Sequence, residues 1–297
     1  MTSFTPHSTS YIKFLLAIVL CVLLPHTAYA GAWTLQKGHF WGKITTLITS
    51  TSERYDAAGN TGGFGPAAAA AVYNSRSVYL DFFYGINDRV DIGIQIPFIS
   101  NKYDHDNFNF PGFIALDASG IGDVRGFAKI NLVQQDVVAT LKLGFKAPTG
   151  AYDDGQDPAG AYKNEGMSVG SGQSDIDLIL QLGRSFYPAP VYANLDLGYR
   201  FRMENSTSGF NPGEEIIYNA EVGVNPTDIL LLALKLEGIA GAEGSRGNDD
   251  IGITYLAPTV FINMHQNLSI EASVRIPVAG RNFFGGRLWG IGLYFEK

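Results

Sequence analysis

The stretch VYLDFFYGINDRVDIGIQIPF, residues 78–98, decides the fold. Taken in steps of two, Val78, Leu80, Phe82, Tyr84 and Ile86 form one set, and Val90, Ile92, Ile94, Ile96 and Phe98 a second. Between them fall Tyr79, Asp81, Phe83 and Gly85, then Asp91, Gly93, Gln95 and Pro97. A period of two places each set on one face of a β-strand. Asn87-Asp88-Arg89 supplies the turn, because Asn and Asp tolerate and locally bond the backbone that a turn requires. The product is a hairpin with one wholly apolar face and one face carrying charge. Such a face meets either a protein core or lipid, and the rest of the chain discriminates between them.

The chain opens on a targeting pattern. Lys13 precedes an apolar run from Phe14 to Leu24, and Ala28-Tyr29-Ala30 has the small residues of a cleavage site. That run is too short to span a bilayer, so residues 1–30 read as a signal peptide and 31–297 as a single domain. Leu20 before Cys21 is not small and the apolar run continues past it, which disfavours lipidation. Cleavage after Ala30 would remove the single cysteine and Lys13, leaving 20 Lys and Arg against 28 Asp and Glu. An exported chain without cysteine needs a source of stability other than disulfides, and an acidic balance argues against a nucleic-acid partner. The 35 glycines and the 12% of aromatic residues suit the tight turns and rings of an all-β chain. Mean hydropathy is close to neutral, as alternation dictates.

The same alternation recurs along the chain. Strands are predicted over Phe40–Ser50, the two halves of the 78–98 hairpin, Ile121–Leu132, Val137–Phe145, Asp175–Leu182 and Val191–Arg202. Five more cover Ile216–Val224, Leu232–Glu237, Ile251–Ile262, Leu268–Ile276 and Trp289–Phe295, with Pro258 inside the tenth. Connections alternate between short turns and long loops, the longest being Pro148–Gln173. An even count with that asymmetry predicts an all-β fold: an antiparallel up-and-down transmembrane β-barrel of about twelve strands, in the outer membrane of a Gram-negative cell. Short turns and both termini would then face the periplasm. Phe98, Phe145, Tyr199, Phe201, Tyr218 and Trp289 on the loop side, and Tyr84, Phe186 and Phe295 on the turn side, have the placement of two aromatic girdles. Pro97, Pro148 and Pro277 are expected at strand ends, where a missing donor is tolerated. The rival, a soluble exported sandwich, would have to spread twelve such faces over a dry core and gives no reason for every second loop to be long.

Four segments resemble a known family. Gly120-Ile121-Gly122-Asp123-Val124-Arg125-Gly126 is similar to its G-x-G-D strand entry, and Leu143 to Gly150 to its K-x-P-T-G strand exit. Gly170 to Asp177 resembles its glycine-rich re-entry, and Asn194 to Tyr199 the strand after it. The family comprises outer-membrane transporters first associated with the meta-cleavage pathway of phenol degradation. The resemblance covers about residues 120–201 and implies an outer-membrane channel admitting small aromatic or otherwise apolar molecules. Many outer-membrane barrels end on an aromatic residue. Here Phe295 is followed by Glu296-Lys297, so the signal read by the assembly machinery is shifted.

If the apolar faces meet lipid, the alternate residues line the bore. The acidic ones are Asp81, Asp91, Asp123, Asp175, Asp177, Asp196, Glu221, Glu237 and Glu271. The basic ones are Lys43, Arg125, Lys129, Lys142, Lys146, Arg200, Arg202, Lys235 and Arg275, and Gln95 lies among them. The near balance of sign disfavours a strongly ion-selective pore and suits passive diffusion of a small-molecule solute along a charge-lined lumen. Twelve strands lie between the filled bore of eight and the open channel of sixteen, so two outcomes stay open. The lumen is a narrow channel, or it is closed by its own ion pairs or by the Pro148–Gln173 loop. A barrel enzyme acting on lipid or peptide and a non-conducting surface anchor are the alternatives. Gly166-Met167-Ser168-Val169-Gly170 fits G-x-S-x-G, but an elbow needs a strand before it and a helix after it. His105, between Asp104 and Asp106, lacks a converging partner set; His39 and His265 belong to the turn side and His105 to the loop side, and no pair has metal-ligand spacing, so neither catalysis nor a metal site is expected. No cofactor is expected either. Asp153, Asp154, Asp157, Asp249 and Asp250 make the loops acidic without any Ca²⁺-loop spacing; lipopolysaccharide is the expected neighbour on that side.

Overall fold

In a computed structural model, residues 31–64, 71–105, 116–152, 167–209, 211–243, 250–265 and 267–297 are described. The strands are β1 (Phe40–Thr51), β2 (Arg54–Tyr55), β3 (Thr61–Gly62), β4 (Ala71–Asn87), β5 (Val90–His105), β6 (Leu116–Ile121), β7 (Val124–Gln134) and β8 (Val138–Ala147). They continue as β9 (Asp175–Ser185), β10 (Val191–Arg202), β11 (Glu214–Val224), β12 (Leu230–Glu243), β13 (Gly252–His265), β14 (Leu268–Arg281) and β15 (Leu288–Glu296). Every neighbour in the wall is antiparallel and consecutive, and β15 pairs with β1 to close the ring. Both β6 and β7 pair with β5, so they are two halves of one wall strand and the barrel has twelve. Of the described strands, β2 and β3 stand apart, as a small hairpin over the loop end.

The period of two sorts the side chains. Ile44, Leu80, Phe82, Ile92, Ile94 and Leu195 are exposed on the outside, and Leu197 and Ile291 reach 58% and 67% exposure. Their neighbours Asp91, Lys129, Thr140, Asp177, Glu221 and Glu271 are buried inside. A protein in water does not bury its charges and expose its leucines in this way; a barrel in lipid does. Phe98, Phe145, Phe201 and Trp289 are exposed toward the loop end, and Tyr84, Phe186 and Phe295 toward the turn end. The turn at Asn87 is held as its sequence suggests, with Asn87 Oδ1 accepting the Arg89 amide at 2.9 Å.

Three expectations need correction. The hairpin is longer than its apolar pattern, because β4 starts at Ala71 and β5 ends at His105. Among the added residues, Asn74, Ser75 and Arg76 face Lys102, Asn101 and Ser100, a stretch polar on both faces, so the wall continues with no hydrophobic period to announce it. Second, Pro97 and Pro277 lie inside strands rather than at their ends, each at an irregularity: Pro97 against the β6/β7 break, Pro277 where the β13–β14 register shifts. Pro258 likewise lies within β13, where its exposed ring faces lipid and the ladder to β14 lapses beside it.

The third correction concerns the predicted strand Ile121–Leu132, which breaks at Gly122-Asp123. Pro97 cannot donate, and its carbonyl instead accepts the Gly122 amide at 2.9 Å. Behind the break, backbones converge so closely that a Cβ on Gly150 would lie 2.6 Å from the Gly170 Cα. The Asp123 carboxylate accepts from the Gly150 amide at 3.1 Å, the Ser171 amide at 3.0 Å and the Ser171 hydroxyl at 2.6 Å. Thr149 Oγ1 donates to the Gly122 carbonyl at 2.9 Å and accepts the Val124 amide at 3.0 Å. Three of the glycine-rich segments quoted above thus form one knot. Thr149→Val keeps the shape and removes both bonds; it should cost about 1–3 kcal/mol, read as a lowered urea midpoint for the barrel in micelles. An unchanged midpoint would show that the knot is held by packing alone.

Candidate functional site: the barrel lumen

The antiparallel register decides which inward side chains meet. Arg200 stands opposite Asp177 on β9 and Glu215 on β11, and Asp175 opposite Lys146 on β8 and Arg202 on β10. The pairs close accordingly: Arg200–Asp177 at 2.7 Å, Arg200–Glu215 at 2.8 Å, Arg202–Glu215 at 2.8 Å and Lys146–Asp175 at 2.8 Å. Arg125 adds Asp177 at 2.9 Å, and Lys146 reaches Asp123 at 3.2 Å. This alternating lattice lines the loop-side half of the lumen along β7 to β11. Asp175, Asp177 and Glu215 are almost fully buried and the Asp123 side chain is 9% exposed, so each depends on its partners for compensation.

Toward the turn end the bore widens into a cavity of about 820 Å³. One side of it is aromatic. Trp41 stacks on Phe83 with centroids 4.9 Å apart, Phe83 on Phe127 at 5.8 Å, and Tyr294 lies 5.6 Å from Phe261. Three lysines sit over these rings: Lys142 at 4.1 Å from Phe127, Lys43 at 4.5 Å from Tyr294 and Lys235 at 5.7 Å from Phe261. Lys43 pairs with Glu271 at 2.7 Å and Lys235 with Glu221 at 3.0 Å, while Lys142 has no ion pair among the described residues. The opposite side carries amides and a carboxylate. Gln181, Asn194, Asp196 and Asn219 line it, and Gln181 Oε1, Asn194 Oδ1, Asp196 Oδ1 and Asn219 Oδ1 are buried there without a protein partner. Gln95 donates to Asp81 at 2.6 Å, and Arg275 donates to Glu237.

Residues 31–39 enter this chamber from the turn end. Lys129 Nζ donates to the Gly31 carbonyl at 2.9 Å and the Trp33 carbonyl at 2.6 Å, and the Thr140 hydroxyl donates to the Ala32 carbonyl. The Leu35 amide donates to Asp91 at 3.0 Å, and the Lys37 amide to Asp88 at 2.9 Å. Trp33 lies edge-on to Tyr192 at 6.4 Å and fills the space over Gly183, where a Cβ would come within 2.9 Å of its ring. Gly38, at φ +81°, turns the segment back into β1. Ala32 and Leu35 are buried, so the segment is part of the wall's packing.

Of the charged positions named from the sequence, Lys43, Asp81, Lys129, Lys142, Asp196, Glu221 and Lys235 line the chamber, and Asp123, Arg125, Lys146, Asp175, Asp177, Arg200 and Arg202 make up the lattice. The pattern missed three things. Glu215, the hub of the Arg200–Arg202 lattice, abuts a loop and follows Glu214, so no alternation marked it. The inward rings Trp41, Phe83, Phe127, Phe261 and Tyr294 occupied the polar phase of the pattern without being charged. The 31–39 segment has no period at all. Asp153, Asp154, Asp157, Asp249 and Asp106 lie outside the described residues, as does most of the Pro148–Gln173 loop. Its described end places Ser168 in irregular chain just before a bend, where the Val169 and Gly170 amides donate to the Ala151 carbonyl, with no helix after it.

A closed ring of antiparallel strands with an apolar exterior and a charged interior defines a transmembrane β-barrel. Within that class the assignment is specific. The chain belongs to the family described as "Putative MetA-pathway of phenol degradation", whose model matches residues 70–289. The fold is similar to that of an outer membrane channel from Pseudomonas putida F1, with TM-score 0.71 and 15% identity over 93% of this chain and 100% of that one. It is also similar to the beta domain of the Bordetella autotransporter BrkA, with TM-score 0.50 and 13% identity over 88% of this chain and 100% of that one. Among the curated proteins compared by sequence, none matches.

Proposed function

We propose that this barrel is an outer-membrane channel through which small aromatic molecules diffuse passively. The carrying observation is the lumen's division of labour. Fixed ion pairs hold the wall, and a stacked ladder of rings crowned by lysines lines a chamber large enough for a single-ring solute. A flat solute slides along such a ladder by exchanging one stacking partner for the next, each worth about 0.5–1.5 kcal/mol, too little to trap it. Gln181, Asn194, Asp196 and Asn219 on the opposite side give the chamber a polar wall for its substituents. The family and the fold of the Pseudomonas channel support this reading.

In this reading residues 1–30 are removed on export, and Gly31 then begins the chain inside the chamber. Both termini and the short turns face the periplasm, the loops face lipopolysaccharide, and the outer-membrane assembly machinery inserts the barrel. The protein is not an enzyme. The test is single-channel recording of refolded protein in a planar bilayer. Discrete current steps are expected, and millimolar phenol should lower the mean open current more than cyclohexanol at equal concentration. Absence of steps at every voltage and salt concentration would sink the channel; equal block would sink the aromatic preference.

A further inference from the structure

On one flank of the loop end the outer surface of the barrel changes character. Leu47, Thr49, Ser75, Ser77, Asn101 and Leu288 line the inside of the bore there. The period of two turns the residues between them outward, and Ile48, Ser50, Arg76 and Ser100 are all exposed. Arg287 lies between Gly286 and Leu288, both inward, and is exposed as well.

The register brings these side chains together. Arg76 stands opposite Ile48 on β1 and Ser100 on β5, and Ile48 stands opposite Trp289 on β15. The same register carried two residues past Trp289 sets Arg287 beside Ser50. The Gly285 amide donates to the Glu53 carbonyl at 2.9 Å, which keeps that part of the chain along β1. Arg76 and Arg287 therefore flank β1 from its two sides, two strand spacings or about 10 Å apart, a gap that two arginine side chains close over Ser50. Neither arginine has an ion pair among the described residues. Lys102, the next cation on this face, is different: it pairs with Asp104 at 2.6 Å and stands opposite Asp117.

The depth of the pair is fixed by its neighbours. Trp289, 61% exposed, shares a row with Arg76, and Ile44, Leu80, Phe82 and Ile291 cover the surface below it. The arginines thus lie where acyl chains give way to headgroups. On β8, β10, β11 and β14 the exposed residues near the loop end are Phe145, Phe201, Ile216 and Val278, so the free cations are confined to one flank. An arginine at that depth is best satisfied by a phosphate, whose oxygens its planar fork meets in pairs.

We propose that this rim is a binding site for the lipid A headgroup of lipopolysaccharide, with one phosphate held between Arg76 and Arg287 and the Ser50 and Ser100 hydroxyls bonding the headgroup beside it. The acyl chains then lie on the apolar surface below Trp289. The site rests on the orientation given above, in which the loop end faces the outer leaflet.

The test is native mass spectrometry of the full barrel in detergent, titrated with bisphosphorylated lipid A, the same lipid without phosphates, and phosphatidylglycerol. Saturable one-to-one binding of bisphosphorylated lipid A is expected, with much weaker binding of the other two. Arg76→Gln and Arg287→Gln should each weaken it about five- to ten-fold. Arg89→Gln, which removes an exposed arginine at the turn end, should leave it unchanged, and a parent-like circular dichroism spectrum certifies the fold of each variant. Equal affinity for phosphatidylglycerol or for the lipid without phosphates overturns the site, as does lipid A affinity insensitive to both rim arginines or equally weakened by Arg89→Gln. Orientation is read separately by Ser52→Cys, which a membrane-impermeant maleimide should label in intact cells. Labelling only after lysis would overturn the orientation and the lipid A site with it. A conducting barrel without arginine-dependent binding would overturn the site and leave the channel; arginine-dependent binding in a barrel that never conducts would overturn the channel and leave the site.

Discussion

Ile94→Arg is expected to destabilise the barrel by about 2–4 kcal/mol, whereas Gln95→Arg folds. The two residues are neighbours on β5, and the difference is entirely one of face. Ile94 pairs with Phe82 on β4 and Gly126 on β7, midway along the strands, and is exposed on the outer surface. An arginine there must place its guanidinium among acyl chains or drag water to it. Gln95 points inward beside Asp81, at 2.6 Å, so an arginine in its place meets a carboxylate and the wet chamber. It should alter conductance by adding a cation opposite Arg125. Urea unfolding in lipid vesicles, followed by tryptophan fluorescence, reads the stability. Were the outer surface water-facing, Ile94→Arg would stay within about 0.5 kcal/mol of the parent. Equal tolerance at the two sites would show that the face, or the solvent, has been assigned wrongly.

Deleting residues 31–36 is expected to raise single-channel conductance several-fold without preventing folding. The segment occupies the chamber at its turn end and is anchored by Lys129, Thr140 and Asp91 rather than by strand pairing. Its removal leaves Lys129 and Asp91 facing each other at 3.9 Å, so neither is stranded as an uncompensated charge. Retaining Gly38 preserves its amide bond to the Gly85 carbonyl at 2.8 Å, which starts β1 correctly. Lys129→Met, which loses the two bonds to the Gly31 and Trp33 carbonyls, should give a current that flickers between the parent and the deletion levels. Identical conductance in parent and deletion would mean that ions pass by a route this segment does not obstruct.

The architecture was legible because lipid on one side and water on the other force a period of two that no local propensity can blur. Ile92, Ile94 and Ile96 against Asp91, Gly93 and Gln95 carry that information unaided. The partners of the charges were not legible. Arg200 reaches both Asp177 and Glu215 only because β9, β10 and β11 are in one register, which turn geometry and closure of the whole ring set. The break after Ile121 was hidden because alternation runs unbroken through Gly122-Asp123, while its causes, Pro97, Gly150 and Gly170, lie on other segments. The 31–39 segment follows the bore instead of a strand partner, and nothing periodic records such a path. The glycine-rich motifs were visible as composition, but their reason is contact between distant backbones.

The break between β6 and β7 has a mechanical side. Above it β6 pairs with β5 and with no other described strand, while β4 stays in register with β1 as far as Tyr73 opposite Thr51. The loop-side wall from β1 to β6 is therefore one continuous sheet. Below the break β5 passes its pairing to β7, and at the crossing point the bonds of Asp123 and Thr149 take over from the ladder. The ring is thus closed by backbone pairing along the lipid-facing band and by a side-chain clasp at its outer rim.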